Sequence, residues 1–344
     1  MSTDPIRVAM CGLGQWGPNL LRNLRQNPGF EVAALCDRDP KRLEEQHALQ
    51  PGVTLYSDVE QVAADPTIAA AVVATPAGLH ETHVRLLLEA GKDVLVEKPL
   101  AMTLKGAREL VALAEARGRV LMAGHTFLFN SAVQRVRDEI ASGSLGELHL
   151  ILAQRMSLGH VRSDCNALWN LAPHDISILL YWLGTLPVSV SAHGVAFHEG
   201  HSQEDIALCV LEFPGRVMAS LQVSWMNPVK VRQMTIVGSR RMLVYDDVNA
   251  KEPLTLYDQG IEEVGRRDPS GSFENFRLGI RRGPQSVLPV EPVEPLAAEV
   301  AHFLECLHSR KVPRGSGQEA IAIVSVLEAL GHSMKLSGQK VEIG

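Results

Sequence analysis

The stretch Ile6–Gly17, IRVAMCGLGQWG, decides the fold of this chain. Its first six residues form a short apolar run typical of a buried strand, and this run leads directly into glycines with the spacing G-x-G-x-x-G. Gly12 permits a tight turn, and Gly14 lets a pyrophosphate approach the backbone. Gly17 permits close packing of a following helix, whose N-terminus faces the anion. The stretch therefore predicts a strand, turn and helix that bind a dinucleotide.

A second apolar run, FEVAALC, ends directly before Asp37, twenty residues after Gly17. This is where the dinucleotide motif places an acid that binds the adenosine ribose hydroxyls. A carboxylate there repels a ribose 2′-phosphate, which favours NAD over NADP. Arg38 keeps NADP as the less favoured alternative, because a guanidinium accommodates that phosphate. The competing interpretation is an ordinary strand-to-helix turn with Asp37 on the surface.

Short apolar runs alternate with amphipathic segments through the first third of the chain, which predicts a parallel sheet covered on both faces. The 344 residues exceed the usual size of one domain. We therefore expect an α/β protein with a Rossmann domain over residues 1–125 and a second α/β domain over 126–344. The runs that follow the first two are IAAAVVAT, KDVLVE and RVLMAG.

The second domain is expected to contain an open, mostly antiparallel sheet. Its first strand is GELHLILAQRM, and alternating segments between residues 187 and 257 supply further strands. A helix is predicted from about residue 174 to 183, and two more over 296–309 and 318–336. The stretch 261–294 is rich in Gly, Pro and Arg with little periodicity, which predicts a long excursion.

The composition limits the possible partners and compartment. The net charge is −6, 46% of the residues are apolar, and no block of Lys and Arg occurs, so a nucleic-acid partner is not expected. The five cysteines lack CxxC spacing and are interpreted as buried apolar residues in a reducing compartment. Without a signal-like start or an uninterrupted run of about 18 apolar residues, we expect a cytoplasmic protein that does not enter the membrane.

Metal and nucleophile chemistry have weaker support in the sequence. His193, His198 and His201 lie near one another in the chain, but no HExxH motif or cysteine partner accompanies them. No GxSxG motif supports a hydrolase. We therefore predict no metal site.

The strand VLVE delivers Glu97, Lys98 and Pro99 to the carboxyl end of the sheet, where open α/β folds bind their ligands. Proline keeps the preceding Lys98 out of helical geometry, so its ammonium can be aimed at a fixed point. A partly desolvated lysine beside a cation can have a pKa low enough for proton transfer. The alternative is a solvated lysine at a strand end.

Several motifs together resemble the Gfo/Idh/MocA family of oxidoreductases. They are TPA at Thr75–Ala77 with His80, AGKDVLVEKPLA, the Gly124–His125 pair, NLAPHD at Asn170–Asp175, and the C-terminal stretch LAAEVAHFLECLHSRKVPRGSGQEAIAIVSVLEAL. The resemblance implies a Rossmann domain followed by an α/β domain whose open antiparallel sheet often assembles dimers or tetramers. It also implies that Lys98 is catalytic, and it allows a cis Lys98–Pro99 bond.

In this family a histidine of the second domain lies four residues after an Asp or Asn, which His174 and Asn170 match. His174 is expected to open an apolar helix, where the helix N-terminus favours a neutral imidazole that acts as a base. A structural histidine is the alternative. Many members have Asp where this chain has Asn170, and Asp where it has Ser177. Asn170 is therefore assigned to substrate positioning, and Asp175 either orients His174 or caps the helix.

The substrate class rests on resemblance to the family branch that acts on nucleotide-linked sugars, which implies oxidation of UDP-N-acetylglucosamine or its uronic acid at C3. Arg155, His160 and Arg162 lie between a strand and His174, so they are candidates for binding a diphosphate or carboxylate. His125 is a further substrate candidate. Alternatives are an inositol or free-sugar dehydrogenase, a ketosugar reductase, and a non-catalytic dinucleotide-binding regulator. Retention of both Lys98 and His174 argues against a regulator.

The expected site is assembled from these motifs. The catalytic pair is Lys98 and His174, the cofactor is NAD, and the partners are a small sugar or nucleotide-sugar and further copies of the chain in a homodimer or homotetramer. Cofactor contacts are predicted for Gly12, Gly14, Gln15, Trp16, Gly17, Asp37, Arg38, Thr75, Pro76, His80, Glu97 and Lys98. Substrate contacts are predicted for Lys98, His125, Arg155, Arg162, Asn170 and His174.

Overall fold

A computed structural model describes residues 4–159, 165–197, 203–264 and 277–343. Its first strand, β1 (Ile6–Cys11), lies inside a sheet of six parallel strands in the order β3-β2-β1-β4-β5-β6. The remaining strands are β2 (Phe30–Cys36), β3 (Thr54–Tyr56), β4 (Ala70–Val73), β5 (Asp93–Glu97) and β6 (Leu121–Gly124). The helices between them are α1 (Gly17–Gln26), α2 (Pro40–Leu49), α3 (Val59–Ala64), α4 (His80–Glu89) and α5 (Leu104–Ala116). The predicted Rossmann fold is confirmed.

The chain divides into two units, and the division differs from the single boundary expected after residue 125. One unit contains Met1–Asn130 with Val293–Glu328, and the other contains Ser131–Pro292 with Ala329–Gly344. Helix α8 (Pro295–Ser309) thus belongs with the Rossmann sheet. Its Phe303 stacks on Phe30 with ring centroids 6.2 Å apart. Such contacts join residues far apart in the chain, so chain order did not reveal them.

The second unit is built on a nine-stranded sheet in the order β16-β13-β12-β11-β7-β10-β9-β8-β17. Only the pairing of β7 with β10 is parallel, which confirms the expected mostly antiparallel sheet. The strands are β7 (Leu148–Leu158), β8 (Ser189–Val195), β9 (Ile206–Phe213), β10 (Val217–Ser224), β11 (Met226–Gly238), β12 (Met242–Asp246), β13 (Leu254–Tyr257), β16 (Gln285–Val287) and β17 (Val341–Glu342). The helices of this unit begin with α6 (Ser131–Ala141) and α7 (Ala167–Leu183). The last helix, α9 (Gly317–Lys335), spans both parts of the division. Among the described helices, none has the length and apolar character needed to cross a bilayer.

The stretch predicted as an excursion over 261–294 contains regular structure in its described part. Strands β14 (Gly260–Val264) and β15 (Arg277–Arg281) form a separate two-stranded sheet, and β16 joins the large one. These strands are so short that the alternation of apolar and polar residues along them does not stand out from the surrounding Gly and Pro.

One face of the nine-stranded sheet carries exposed apolar side chains. Leu152, Leu208 and Met218 lie on three adjacent strands with 40%, 53% and 46% of their surface exposed. Their neighbours in the chain, such as Ile151 and Ala219, point to the opposite face and are buried. On the exposed face, the strand registers place polar residues between the apolar ones, among them Ser220 and Gln222.

Helix α7 begins seven residues earlier than predicted. Asn166 caps it by accepting a hydrogen bond from the Trp169 backbone N–H at 2.9 Å, and Pro173 lies inside the helix. The apolar run after His174 is only the second part of the helix. His174 thus lies in the interior of α7, so the expected effect of a helix N-terminus on its ring does not apply.

A buried ion pair fixes α7 to β7. The Arg155 Nε and Nη2 atoms each donate to one oxygen of Asp175 at 2.9 Å, and the two side chains are only 6% and 2% exposed. Asp175 does not cap α7, because the helix begins well before this residue. Its carboxylate binds Arg155, which differs from the expected orientation of His174. The side-on pair is the structural role of Arg155.

We predict that Asp175→Asn destabilises the protein by about 3–5 kcal/mol, because it removes the carboxylate charge that binds the buried Arg155 guanidinium side-on. Urea unfolding measures the change. The control is Lys340→Met, which breaks an exposed ion pair with Glu212 and is expected to cost less than about 1 kcal/mol. An equally small effect of both substitutions would show that the buried pair does not hold α7.

Candidate functional site

The glycine loop after β1 has the shape required by a bound pyrophosphate. A Cβ atom on Gly17 would overlap the carbonyl oxygen of Gly12, so α1 packs directly against the turn. A Cβ on Gly14 would meet only Arg42 Nη1, at 3.5 Å, among the described residues. The open side of the loop is therefore at Gly14, where the sequence predicts the approach of phosphate.

The N-terminus of α1 is suited to an anion. Trp16, at the cap position, makes no capping hydrogen bond through its side chain, and the described first turn contains no acidic residue. Pro18 has no N–H, and the Asn19 N–H donates to the Trp16 carbonyl oxygen at 3.0 Å. The positive end of the helix dipole therefore attracts an anion here without a local negative charge. Gln15 and Trp16 are exposed beside this helix end, so the residues present fit a dinucleotide phosphate.

Asp37 connects the loop to the end of β2. Its Oδ2 atom accepts a hydrogen bond from the Leu13 backbone N–H at 2.6 Å, and its Oδ1 accepts one from Asp39 N–H at 2.9 Å. Each carboxylate oxygen retains an acceptor site for a ribose hydroxyl. Arg38 is exposed, and Arg42, which the sequence analysis missed, has its Nη1 3.9 Å from Asp37 Oδ2.

His80 braces two strand ends. It is 1% exposed, and its Nδ1 and Nε2 lie 2.7 Å from the Pro99 carbonyl oxygen and 2.8 Å from the Thr75 carbonyl oxygen. The Lys98–Pro99 bond is cis, as the resemblance allowed. Because both ring nitrogens face backbone carbonyls, His80 holds the Lys98 turn, and this geometry does not support the cofactor contact predicted for it. Thr75 remains half-buried and Pro76 exposed at the same edge.

Lys98 lies among side chains that are largely withdrawn from water. Burial raises the pKa of Glu97 to about 7, while the Lys98 charge opposes this shift. Burial, followed by the Lys98 charge, lowers the pKa of His125 to about 3, so this ring is neutral near pH 7. Neither His125 ring nitrogen has a hydrogen-bond partner among the described residues. Its predicted substrate contact remains a prediction.

A second carboxyl, missed by the sequence analysis, lies close to Glu97. Glu299 on α8 is completely buried, and its Oε2 accepts a hydrogen bond from the Thr126 hydroxyl at 2.9 Å. Burial, and next the charge of Glu97, raise the pKa of Glu299 well above its usual range. Leu296, Glu299 and Phe303 lie on one buried face of α8. An acidic residue among apolar residues at helical spacing was the sequence signal that could have revealed Glu299.

The second unit places Asn170 and His174 one turn apart on α7, both half-buried. Residues separated by four positions lie on the same helix face, so they can contact one ligand. Ser177 donates a hydrogen bond to the His174 carbonyl oxygen at 2.7 Å. Arg162 and His160, with His198 and His201, lie outside the described residues. In the described ranges, no three His, Cys, Asp or Glu side chains are grouped as metal ligands.

Together, the parallel sheet, the open glycine loop and the acid after β2 define a Rossmann-type NAD-binding protein. Residues 6–125 match the model of the GFO/IDH/MocA oxidoreductase family, NAD-binding Rossmann fold, and residues 133–244 match the GFO/IDH/MocA C-terminal domain. The chain belongs to the Gfo/Idh/MocA family of oxidoreductases, and its N-terminal unit is an NAD-binding domain.

Its relatives act on different compounds. Trans-1,2-dihydrobenzene-1,2-diol dehydrogenase of Bos taurus is 30% identical over 64% of this chain and 68% of its own length. D-apiose dehydrogenase of Paraburkholderia graminis is 25% identical over 97% and 89%. The 1-carboxy-3-chloro-3,4-dihydroxycyclo hexa-1,5-diene dehydrogenase of Comamonas testosteroni is 25% identical over 64% of this chain. The present chain spans only 58% of that last enzyme's length.

Solved structures share the fold over nearly their full lengths. An oxidoreductase from Magnetospirillum magnetotacticum MS-1 is 29% identical with a TM-score of 0.80, over 95% of this chain and 99% of its own. GenD2 from gentamicin A biosynthesis, in complex with NAD, is 22% identical with a TM-score of 0.82, over 100% and 98%. UDP-N-acetylglucosamine 3-dehydrogenase GnnA from Acidithiobacillus ferrooxidans is 22% identical with a TM-score of 0.78, over 96% and 98%. At this identity the last two demonstrate the fold alone.

We predict that Gly14→Ala lowers NADH affinity at least about tenfold, or about 1.4 kcal/mol, with little change in melting temperature. The added methyl group occupies the open side of the loop, where the fold tolerates it and a phosphate does not. NADH fluorescence titration and thermal unfolding measure both quantities. Gly331→Ala on α9, where a Cβ has no described neighbour within 4 Å, is the matched control. Unchanged affinity in Gly14→Ala would place the pyrophosphate elsewhere.

Proposed function

We propose that this protein is an NAD-dependent dehydrogenase that oxidises a secondary hydroxyl group of a sugar, with Lys98 transferring the proton. The observation that carries the proposal is the position of Lys98 at the carboxyl end of β5, in a turn held by His80 and beside the half-buried Glu97. Family membership and the NAD-binding domain support it. A dinucleotide sensor would need the cofactor loop without such a lysine.

Bound NAD supplies the hydride acceptor, and the protein must supply a base for the hydroxyl proton. Lys98 serves as that base in its neutral amine form. The neighbouring His125 ring is neutral, and Glu97 provides a negative charge once Lys98 becomes an ammonium. Positioning by the braced turn lowers the entropic part of the barrier.

His174 and Asn170 complete the proposed machinery. The family motif assigns His174 to proton handling and Asn170 to substrate positioning, and their common helix face supports both assignments. Arg155 is left out, because its guanidinium is buried against Asp175.

For the substrate we favour a UDP-linked N-acetyl amino sugar, UDP-N-acetylglucosamine or its uronic acid, oxidised at C3. The fold shared with the UDP-N-acetylglucosamine 3-dehydrogenase GnnA supports this choice, together with the sequence resemblance. A free sugar is the second candidate, because D-apiose dehydrogenase aligns over 97% of the chain.

The test is NADH formation from NAD with UDP-N-acetylglucosamine, its uronic acid, D-apiose, glucose and myo-inositol, each with and without 2-oxoglutarate. Turnover confined to a UDP-sugar is expected. Turnover on a free sugar alone would support the second candidate function, a free-sugar dehydrogenase. Tight NAD binding without turnover on any compound in either direction would contradict a dehydrogenase of these substrates.

Lys98→Met is predicted to lower kcat about 10²–10⁴-fold, because the hydroxyl loses its proton acceptor. NADH affinity should stay within a few-fold, since the glycine loop is unchanged. Steady-state kinetics on the active sugar and NADH titration measure the two effects. Lys105→Met, at an 88% exposed side chain on α5, is the control. Near-normal turnover of Lys98→Met would remove Lys98 from the mechanism.

We also propose that the sheet face that exposes Leu152, Leu208 and Met218 binds a second copy of the chain, as the family resemblance implies. Leu152→Glu combined with Leu208→Glu is predicted to lower the molar mass measured by light scattering to that of a monomer, because buried unpaired charges oppose association. Val312→Glu, at an 81% exposed valine of the other unit, should leave the mass unchanged. Retention of the wild-type mass in the double variant would exclude this face as the interface.

A further inference from the structure

The NAD-binding unit contains two carboxyls, one half-buried and one fully buried, that the proposed function has not fully used. Glu97 ends β5, and Glu299 lies in the first half of α8. Gly124 pairs with Glu97 across the sheet, and a Cβ on this glycine would lie only 3.4 Å from Glu97 Oε1. The missing side chain at Gly124 therefore makes room for the Glu97 carboxyl next to the β6 turn, where Thr126 binds Glu299.

Each carboxyl has one oxygen without a hydrogen-bond donor. The Oε1 atoms of Glu97 and Glu299 are both buried and have no hydrogen-bond partner among the described residues. The other oxygens are engaged, Glu97 Oε2 by the Lys98 backbone N–H at 3.3 Å and Glu299 Oε2 by Thr126. Two charged carboxylates withdrawn from water repel each other, and one proton held by the pair removes this repulsion.

The groups around the pair limit its charge. Lys98 is the cation beside Glu97, while burial lowers the pKa of His125 to about 3, so this ring is neutral near pH 7. On the α8 side, His302 Nε2 accepts the Arg314 backbone N–H, and the Arg314 guanidinium donates to the Leu128 carbonyl oxygen. A single negative charge on the pair therefore balances Lys98, whereas two would leave one buried charge uncompensated.

We propose that Glu299 is a positioning residue for the reaction: it donates a shared proton to Glu97, so that the pair presents one negative charge to Lys98. Glu299 acts through Glu97 and does not touch the substrate. With this donor, Glu97 remains an anion in a buried place and sets the proton affinity of the Lys98 amine. Without it, Glu97 takes up a proton itself, and Lys98 loses its counter-charge. The inference depends on the proposed role of Lys98.

The first experiment needs no substrate. Infrared spectra of the cofactor-free protein near pH 7 should show a protonated carboxyl band that is absent from Glu299→Gln and retained in Glu294→Gln, an exposed glutamate of the same region. No such band in the wild type would overturn the shared proton. If Glu299→Gln does not fold, Thr126→Val serves instead. It removes the hydroxyl bonded to Glu299 and should shift the band without abolishing it, and an unmoved band would overturn the assignment.

The melting temperature gives a second readout without substrate. Folded Glu299 holds a proton where an unfolded glutamate, with a pKa of about 4.3, has lost it. Folding then binds a proton, so the wild type should lose stability relative to Glu299→Gln as pH rises from about 4.3 through the raised pKa of Glu299. A difference that does not change with pH would contradict the proposal.

The third experiment measures the pH profile of kcat/KM on the active sugar. Glu299→Gln retains a donor, so its activity should stay within about threefold of wild type with an unshifted acid limb. Glu299→Leu and Glu97→Gln should each move the acid limb about one unit to lower pH, because Lys98 loses its counter-charge. The double variant Glu97→Gln/Glu299→Leu should move it no further than either single variant.

Equal shifts for Glu299→Gln and Glu299→Leu would mean that Glu299 acts by its charge, which overturns the donor role. If the acid limb of Glu299→Leu is not shifted, Glu299 has only a structural role. If no substrate is turned over, the infrared and stability results still decide the shared proton, which separates a failure of this inference from a failure of the proposed function.

Discussion

The carboxyl ends of the parallel strands lie at one edge of the Rossmann sheet, and the candidate site of the NAD-binding unit depends on this constraint. Parallel strands deliver their following turns to the same edge, so residues far apart in the chain become neighbours there. The glycine loop follows β1, Asp37 follows β2, Thr75 follows β4, and Lys98 follows β5. His80 then joins two of these turns through the carbonyl oxygens of Thr75 and Pro99.

The protein buries charge in two different ways. Arg155 and Asp175 form a side-on pair in which each carboxylate oxygen accepts one N–H, so opposite charges are compensated within the second unit. Glu97 and Glu299 are like charges, and burial raises the pKa of both. An opposite pair is suited to fixing a helix, whereas a like pair holds a proton whose position depends on a neighbouring charge. The first arrangement therefore serves the fold, and the second lies beside the residue proposed for chemistry.

Much of the NAD-binding unit was predictable because its features are local. The glycine spacing, the acid after β2 and the lysine before a proline each act through neighbouring backbone, so a short stretch is enough to recognise them. Two expectations differ from the structure. The Asn166 cap places the start of α7 seven residues before the predicted start. Asp175 was expected to orient His174 or to cap the helix, because nothing in its local sequence indicates that it binds Arg155.

The sequence by itself determined the fold class, the family, the preference for NAD and the place of Lys98, since all of these depend on periodicity and on motifs with fixed spacing. Only the tertiary structure decided that α8 belongs with the Rossmann sheet, that Arg155 is occupied by Asp175, and that Glu299 lies near Glu97. The physical reason is that burial and charge compensation arise between residues separated by 20 to about 200 positions along the chain. Such proximity exists only after the chain has folded.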